Sequence, residues 1–254
     1  MTLDPQLVLL GLATTFVIAV GKGAFGGGLA MLGIPLLSLG IEPVDAAIIV
    51  APLVAFMDVF ALGAFGPATW SKEDLVWLLP GLAAGIGLGA AVFALVDPRV
   101  VAVLIGAITL LFCAEYFLRG RLAEPKSRPV SRPLALLAGA ASGFTTFIAH
   151  AGGPPTAMYL LGRGVSKTVY AGTTVALFAF ANFLKLPPYV ALGWSKPGVL
   201  LAALCFAPAV PFGIYLGKVL HDRMPARRLF FWCYLLMAVA GGKLFVEAVR
   251  SLAA

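Results

Sequence analysis

Charge is what this chain has least of. Lys, Arg, Asp and Glu together make up 11 % of its 254 residues, against 61 % hydrophobic residues. A soluble domain carries roughly 25 % charged residues. A chain this poor in charge cannot clothe its surface in water, which excludes a soluble enzyme or a free binding module. Histidine is nearly missing: two residues, His150 and His221, lie far apart and leave no zinc cluster. No metal or cofactor is expected. Cysteine is scarce as well. Cys113, Cys205 and Cys233 stand singly in apolar segments, with no CxxC pair and no disulfide framework, and are expected to face lipid or to pack. The opening "MTLDPQ" has no basic n-region, and no A-x-A site follows the first apolar run, so no cleavable signal peptide is expected. A G-x-S-x-G motif is missing too. "GAASGF" around Ser142 does not match it, and nothing completes a proteolytic site for Ser142 and His150. The chain reads as a non-enzyme.

What is abundant is long apolar sequence. Apolar segments fall at about 6–22, 28–39, 44–66, 74–95 and 98–119, then at about 133–150, 154–163, 168–192, 197–218 and 227–249. Most approach the 20 or so residues that cross a bilayer. The expected fold is an all-α, polytopic transmembrane helical bundle forming one transporter domain. The basic residues lie between the spans, so the net charge of +7 points to topology rather than to nucleic acid.

The two sets of segments are copies of one another. Gly27-Gly28 matches Gly152-Gly153, and Gly40 matches Gly164. "WSK" occurs at 70–72 and at 194–196, and "GIGLG" at 85–89 aligns with "GIYLG" at 213–217. Asp58 aligns with Asn182, and Glu115 with Lys243, the offset being 124 to 128 throughout. Repeat 1 therefore covers about 6–119 and repeat 2 about 133–250, joined by a basic linker at 120–132. Arg119, Arg121, Lys126, Arg128 and Arg132 put that linker in the cytoplasm. Lys218, Arg223, Arg227 and Arg228 do the same for the loop near 218–228, and Arg163 with Lys167 for theirs. The loop of the first copy that corresponds to Arg163 and Lys167 carries Glu42 and Asp45, which suits the outside. The repeats then have inverted topology, with both termini outside. Lys196 outside and "SKED" inside count against this arrangement.

The short segments 28–39 and 154–163 are too short to span at 1.5 Å per residue. Each follows a break, "GAFGGG" in one copy and "HAGGPP" in the other. Gly21-x-Gly23-x-x-Gly26, with Asp45 some way on, has the spacing of a dinucleotide loop, but the strand and parallel sheet such a loop needs are missing. The glycines read instead as helix breaks inside the membrane, so that each repeat is a broken, re-entrant-like hairpin plus three spanning helices. A helix N-terminus exposes unpaired N–H groups and a partial positive charge, and glycine lets an anion approach the backbone. Gly26, Gly27, Gly28, Gly152 and Gly153 are thus candidate anion-binding backbone.

Polar residues within the spans complete the candidate set: Lys22, Asp58, His150, Asn182 and Lys185. Ionisable groups at membrane depth are expensive and mark function by default. Lys22 and His150 each stand beside a break, and Lys185 either attracts an anion or snorkels to the interface. Asp58 and His150 are the candidate proton carriers, Asp58 being equally suited to pair with a lysine. Thr145, Thr146, Thr173 and Thr174 offer hydroxyls, which in membrane helices usually bond their own backbone. Trp70, Trp77, Trp194 and Tyr189 read as interfacial belt anchors, and His221 as a solvated loop residue.

"GKGAFGGGLAMLGIPLL" and "GFTTFIAHAGGPPTAMYLLGRGVSKTVYAGTTVALFAFANFLKLPPY" resemble the two halves of the sulfite exporter TauE/SafE family, a likeness running from about residue 7 to 247. The resemblance implies a bacterial inner (plasma) membrane transporter of sulfite, organosulfonate or a related small sulfur-containing anion. It agrees with an anion held at the helix breaks and moved by alternating access. The copies differ: Phe25 stands where the second has His150, and Asp58 where it has Asn182, so the expected site is asymmetric. A passive anion channel, or a cation or proton-linked transporter using Asp58, are the alternatives. The expected partners are the anion, the lipid bilayer and a coupling proton, with no nucleic acid. A homodimer stays open, because an apolar helix face reads the same against a partner and against lipid.

Overall fold

The computed structural model describes residues 4–25, 30–118, 129–191, 197–223 and 226–253, and every regular element in them is helical. The chain runs through α1 (Pro5–Phe25), a 3-10 turn at Ala30–Leu32, the five-residue α2 (Gly33–Leu37) and α3 (Pro43–Ala64). It continues through a second 3-10 turn at Pro67–Thr69, then α4 (Lys72–Leu95) and α5 (Pro98–Leu118). After the linker come α6 (Arg132–Ala149), α7 (Gly153–Arg163), α8 (Lys167–Tyr189), α9 (Pro197–Phe206), α10 (Ala209–Arg223) and α11 (Ala226–Ala253).

Among the described residues, four helices are long and apolar enough to cross a membrane: 5–24, 43–64, 72–95 and 168–189. Together α9 and α10 make a fifth such length, bent by 41°. The sequence reading had one continuous span there. Pro208 explains the break: it has no N–H to donate, and its ring collides with the carbonyl four residues back, at Leu204. Large apolar side chains face outward all around, among them Leu88, Leu111, Phe183, Phe212 and Tyr215. The protein is a multi-pass membrane protein whose outer surface is solvated by lipid tails rather than by water.

Helix pairing follows small residues, as it must where lipid is as apolar as leucine and close backbone approach supplies the attraction. A Cβ on Gly81 or Gly85 would overlap the carbonyl oxygens of Leu136 or Ala140, and one on Gly139 or Gly143 those of Leu78 or Leu82. Residue numbers rise together across this seam, so α4 and α6 run parallel. The same seam recurs between α1 and α10: Gly23 lies against Ile214, and Gly217 against Val20. In contrast, α5 and α11 run antiparallel. Arg99 Nη1 donates to the Ser251 carbonyl at 3.2 Å, Gly106 abuts Phe245, and the Phe117 and Phe231 rings lie 6.1 Å apart. The central pair, α3 and α8, is antiparallel too, since Asp58 meets Asn182 while Ala61 and Phe65 cluster with Ala171 and Val175.

Two features hold the short helix α7 in place. At its start it folds back on α6, with the Ser142 and Thr156 hydroxyls 2.8 Å apart and Thr156 also donating to the Gly152 carbonyl at 3.0 Å. At its end it is tied to α4 through Asp74, which is 0 % exposed. Asp74 accepts from Tyr159 at 2.7 Å, from Arg163 Nε at 3.0 Å and from Ser71 at 2.7 Å. Gly164 then turns the chain into α8 at φ 71°, a conformation that costs glycine nothing.

Candidate functional site

Helix α6 ends at His150, which caps it with φ 50°, a left-handed value rare outside glycine. Its N–H still reaches the Thr146 carbonyl at 3.2 Å, and the next N–H, of Ala151, reaches Thr145 at 3.1 Å. These bonds close the helix end and aim the imidazole into the bundle. Strained backbone of this kind persists where the surrounding packing over-determines it. The packing here is aromatic: Tyr189 stacks on Phe147 at 4.9 Å, lies over His150 at 6.1 Å, and donates its hydroxyl to the Phe147 carbonyl at 2.8 Å. Tyr189 is fully buried, so it is not a belt anchor; it fills the space beneath the helix break.

Lys185 stands one turn before Tyr189 on α8 and is 1 % exposed, so it does not snorkel. Its ammonium donates to the Thr146 carbonyl and hydroxyl, both at 3.3 Å, and to His150 Nδ1 at 3.2 Å. The other ring nitrogen of His150, Nε2, faces the Ala47 carbonyl at 3.4 Å. Lys22, on α1, is also 1 % exposed. It pairs with Asp58 Oδ1 at 2.6 Å and donates to the Val54 carbonyl at 2.9 Å. The other Asp58 oxygen accepts from Asn182 Nδ2 at 2.6 Å.

These groups surround one small cavity of about 10 Å³, room for about one water. Lys22, Ala30, Thr146, His150, Phe178 and Asn182 line it. Asp58 and Lys185 stand one residue behind, each bonded to side chains of the lining. The cluster thus holds two lysine amines and one carboxylate, and the carboxylate is paired with Lys22. Among the described residues no carboxylate is ion-paired with Lys185.

A family model described as sulfite exporter TauE/SafE matches residues 10–244. The chain belongs to the sulfite exporter TauE/SafE family. No curated protein and no solved structure matches it. Membership makes this TauE/SafE chain a membrane transporter of the sulfite-exporter class rather than an enzyme.

The TauE/SafE fold thus gathers Lys22, Asp58, His150, Asn182 and Lys185, which come from four helices, into one cluster. Gly152 is buried beside it, where a Cβ would meet Phe178 at 2.6 Å and Thr146 at 2.9 Å, and Gly153 opens α7. Gly26, Gly27 and Gly28 lie outside the described residues. Of the short segment expected at 28–39, the described residues from Ala30 on form a 3-10 turn and the five-residue α2 rather than one helix. Sequence reasoning passed over Phe178, and it assigned Thr146 to its own backbone. The available signal was position: Thr146 is four residues before His150, hence on the same helix face. Thr145 does bond its own helix, at the Ala141 carbonyl. His221 is buried rather than solvated, against the Ala24 carbonyl and the Phe65 ring, because α10 packs its last turn on α1.

Proposed function

We propose that this protein moves a small sulfur-containing oxyanion, sulfite or an organosulfonate, across the bacterial inner membrane by alternating access. The observation that carries the reading is Lys185. A buried ammonium with only neutral partners is costly, and an anion in the adjoining cavity would offset that cost. The lining offers donors to such an anion. Lys22 has a third N–H beyond those given to Asp58 and Val54, Asn182 has a second amide N–H, and Thr146, having accepted from Lys185, keeps its own O–H. Backbone at Gly152 and Gly153, and at Gly26 to Gly28, would complete the shell at the helix breaks.

The domain is read as two inverted repeats about a cytoplasmic linker. Supporting this, the final helices of the repeats are antiparallel, as are α3 and α8, while the α4–α6 and α1–α10 seams exchange partners between halves in the parallel sense. An axis in the membrane plane requires both. The cavity holds about one water, so taking up an oxyanion would require the surrounding helices to move apart, as alternating access supposes. Asp58 and His150 remain the candidates for coupling to a proton, and a homodimer is compatible with the apolar exterior.

The test is efflux of sulfite and methanesulfonate from proteoliposomes, with and without an imposed proton gradient, for wild type and Lys185→Met. Gradient-accelerated flux that the substitution abolishes supports a coupled carrier with Lys185 at its site. Flux indifferent to the gradient favours a channel. Absence of flux for both anions removes the substrate class.

A further inference from the structure

We propose that the pocket where α4 and α6 begin holds the headgroup of a membrane phospholipid that carries a primary amine, with Arg132 on its phosphate and Glu73 on its amine. The site is on the outside of the bundle and is independent of what the protein transports.

Because α4 and α6 run parallel, their first turns lie side by side at one end of the bundle. Helix α4 is long and apolar enough to span the membrane, so that end is where the span leaves the hydrocarbon and meets headgroups. A cavity of about 340 Å³ opens there, lined by Glu73, Val76 and Trp77 of α4 together with Val130 and Arg132. That is a size small ligands occupy, unlike the one-water cavity inside the bundle.

The lining carries one cation and one anion that do not neutralise each other. Arg132 stands over the Trp77 ring at 5.0 Å. The ring attracts the guanidinium without supplying an oxygen to its N–H donors. Both Arg132 and Glu73 are exposed, and neither is ion-paired among the described residues. A guanidinium fork matches two oxygens of a phosphate. The carboxylate beside it accepts from an ammonium N–H and repels an anionic group. A headgroup with a phosphate and a primary amine answers both charges. An anionic headgroup leaves Glu73 facing a like charge, and a quaternary amine has no N–H to give it.

The acyl chains have a surface to follow. Pro80 is exposed one turn past Val76 on α4, and Leu134 and Leu137 are exposed on α6. A free phosphate compound would leave that apolar surface uncovered.

The test is native mass spectrometry of the detergent-purified chain titrated with phosphatidylethanolamine, phosphatidylglycerol or phosphatidylcholine of identical acyl chains. Wild type, Arg132→Gln and Glu73→Gln are compared, both substitutions being on exposed side chains. Wild type is expected to bind phosphatidylethanolamine most tightly. Arg132→Gln should weaken that binding about fivefold, the contribution of one interfacial basic residue. Glu73→Gln should remove the preference over phosphatidylglycerol. Equal binding of the three lipids by wild type, or a preference for phosphatidylglycerol, overturns the proposal without recourse to a variant. A preference that both variants keep places the lipid elsewhere and overturns it too. Displacement of the lipid by millimolar phosphoethanolamine would show a soluble phosphate ligand instead of a membrane lipid.

Discussion

Asn182 donates to Asp58 at 2.6 Å across a sequence separation of 124 residues, the offset at which the chain repeats its own wording. Both residues are buried, Lys22 joins the pair from α1, and Lys185 stands close by on α8. The carboxylate of α3 thus meets the amide of α8 and the amine of α1 in one place.

Removing Lys22 should be worse than removing the whole pair. Lys22→Met leaves Asp58 buried with Asn182 as its remaining partner, and breaking a buried pair in this way costs about 3–5 kcal/mol. Adding Asp58→Asn to Lys22→Met should recover most of that loss. Thermal unfolding in detergent of the single and double variants checks it. A double variant less stable than the single would show that the pair is not the unit.

The Tyr189 hydroxyl should contribute modestly and its ring strongly. Tyr189→Phe gives up one bond to the Phe147 carbonyl, about 1 kcal/mol. Tyr189→Ala removes the ring stacked on Phe147 and His150, about 3–5 kcal/mol by analogy with other buried aromatics. The measurement is the midpoint of thermal unfolding. Equal losses for the two variants would contradict the stacking account.

Asp74 should be required for α7 to hold its place. Asp74→Asn weakens three acceptor bonds and leaves Arg163 without its carboxylate. The expected loss is about 3 kcal/mol, and Arg163→Lys should not be silent, because the bond is made by Nε, which lysine lacks. Hydrogen exchange of the segment 153–163 reads the effect locally and should rise in both variants.

The glycines of the α4–α6 seam should differ sharply from their neighbour. Gly85→Ala drives a Cβ into the Ala140 carbonyl and should prevent the two helices from closing. Gly87→Ala meets nothing within 4 Å and should be tolerated. Yield and monodispersity of the purified proteins separate the two outcomes.

The apolar segments and the break between α6 and α7 were legible because they are local. Transfer from water needs only composition and length, and a helix end needs only the glycines and prolines at "HAGGPP". The cluster's members were legible as well, since a lysine or an aspartate within a span is costly wherever it points. Their pairing was not. Lys22 could have met Asp58 or stood free beside the break, and Lys185 and Tyr189 sit late enough in α8 to be read as interfacial.

Residence in a bilayer, and the presence of costly polar groups within the spans, can be read from short stretches of this chain. Those properties are additive over short stretches. Packing decides that Asp58 pairs with Lys22 while Lys185 bonds to Thr146 and His150, that Thr146 and Phe178 join the lining, and that Tyr189 and His221 turn inward. Apolar helix faces look alike to lipid and to protein, so which polar residues meet is decided by how α1, α3, α6 and α8 pack, at seams where small residues let backbones touch.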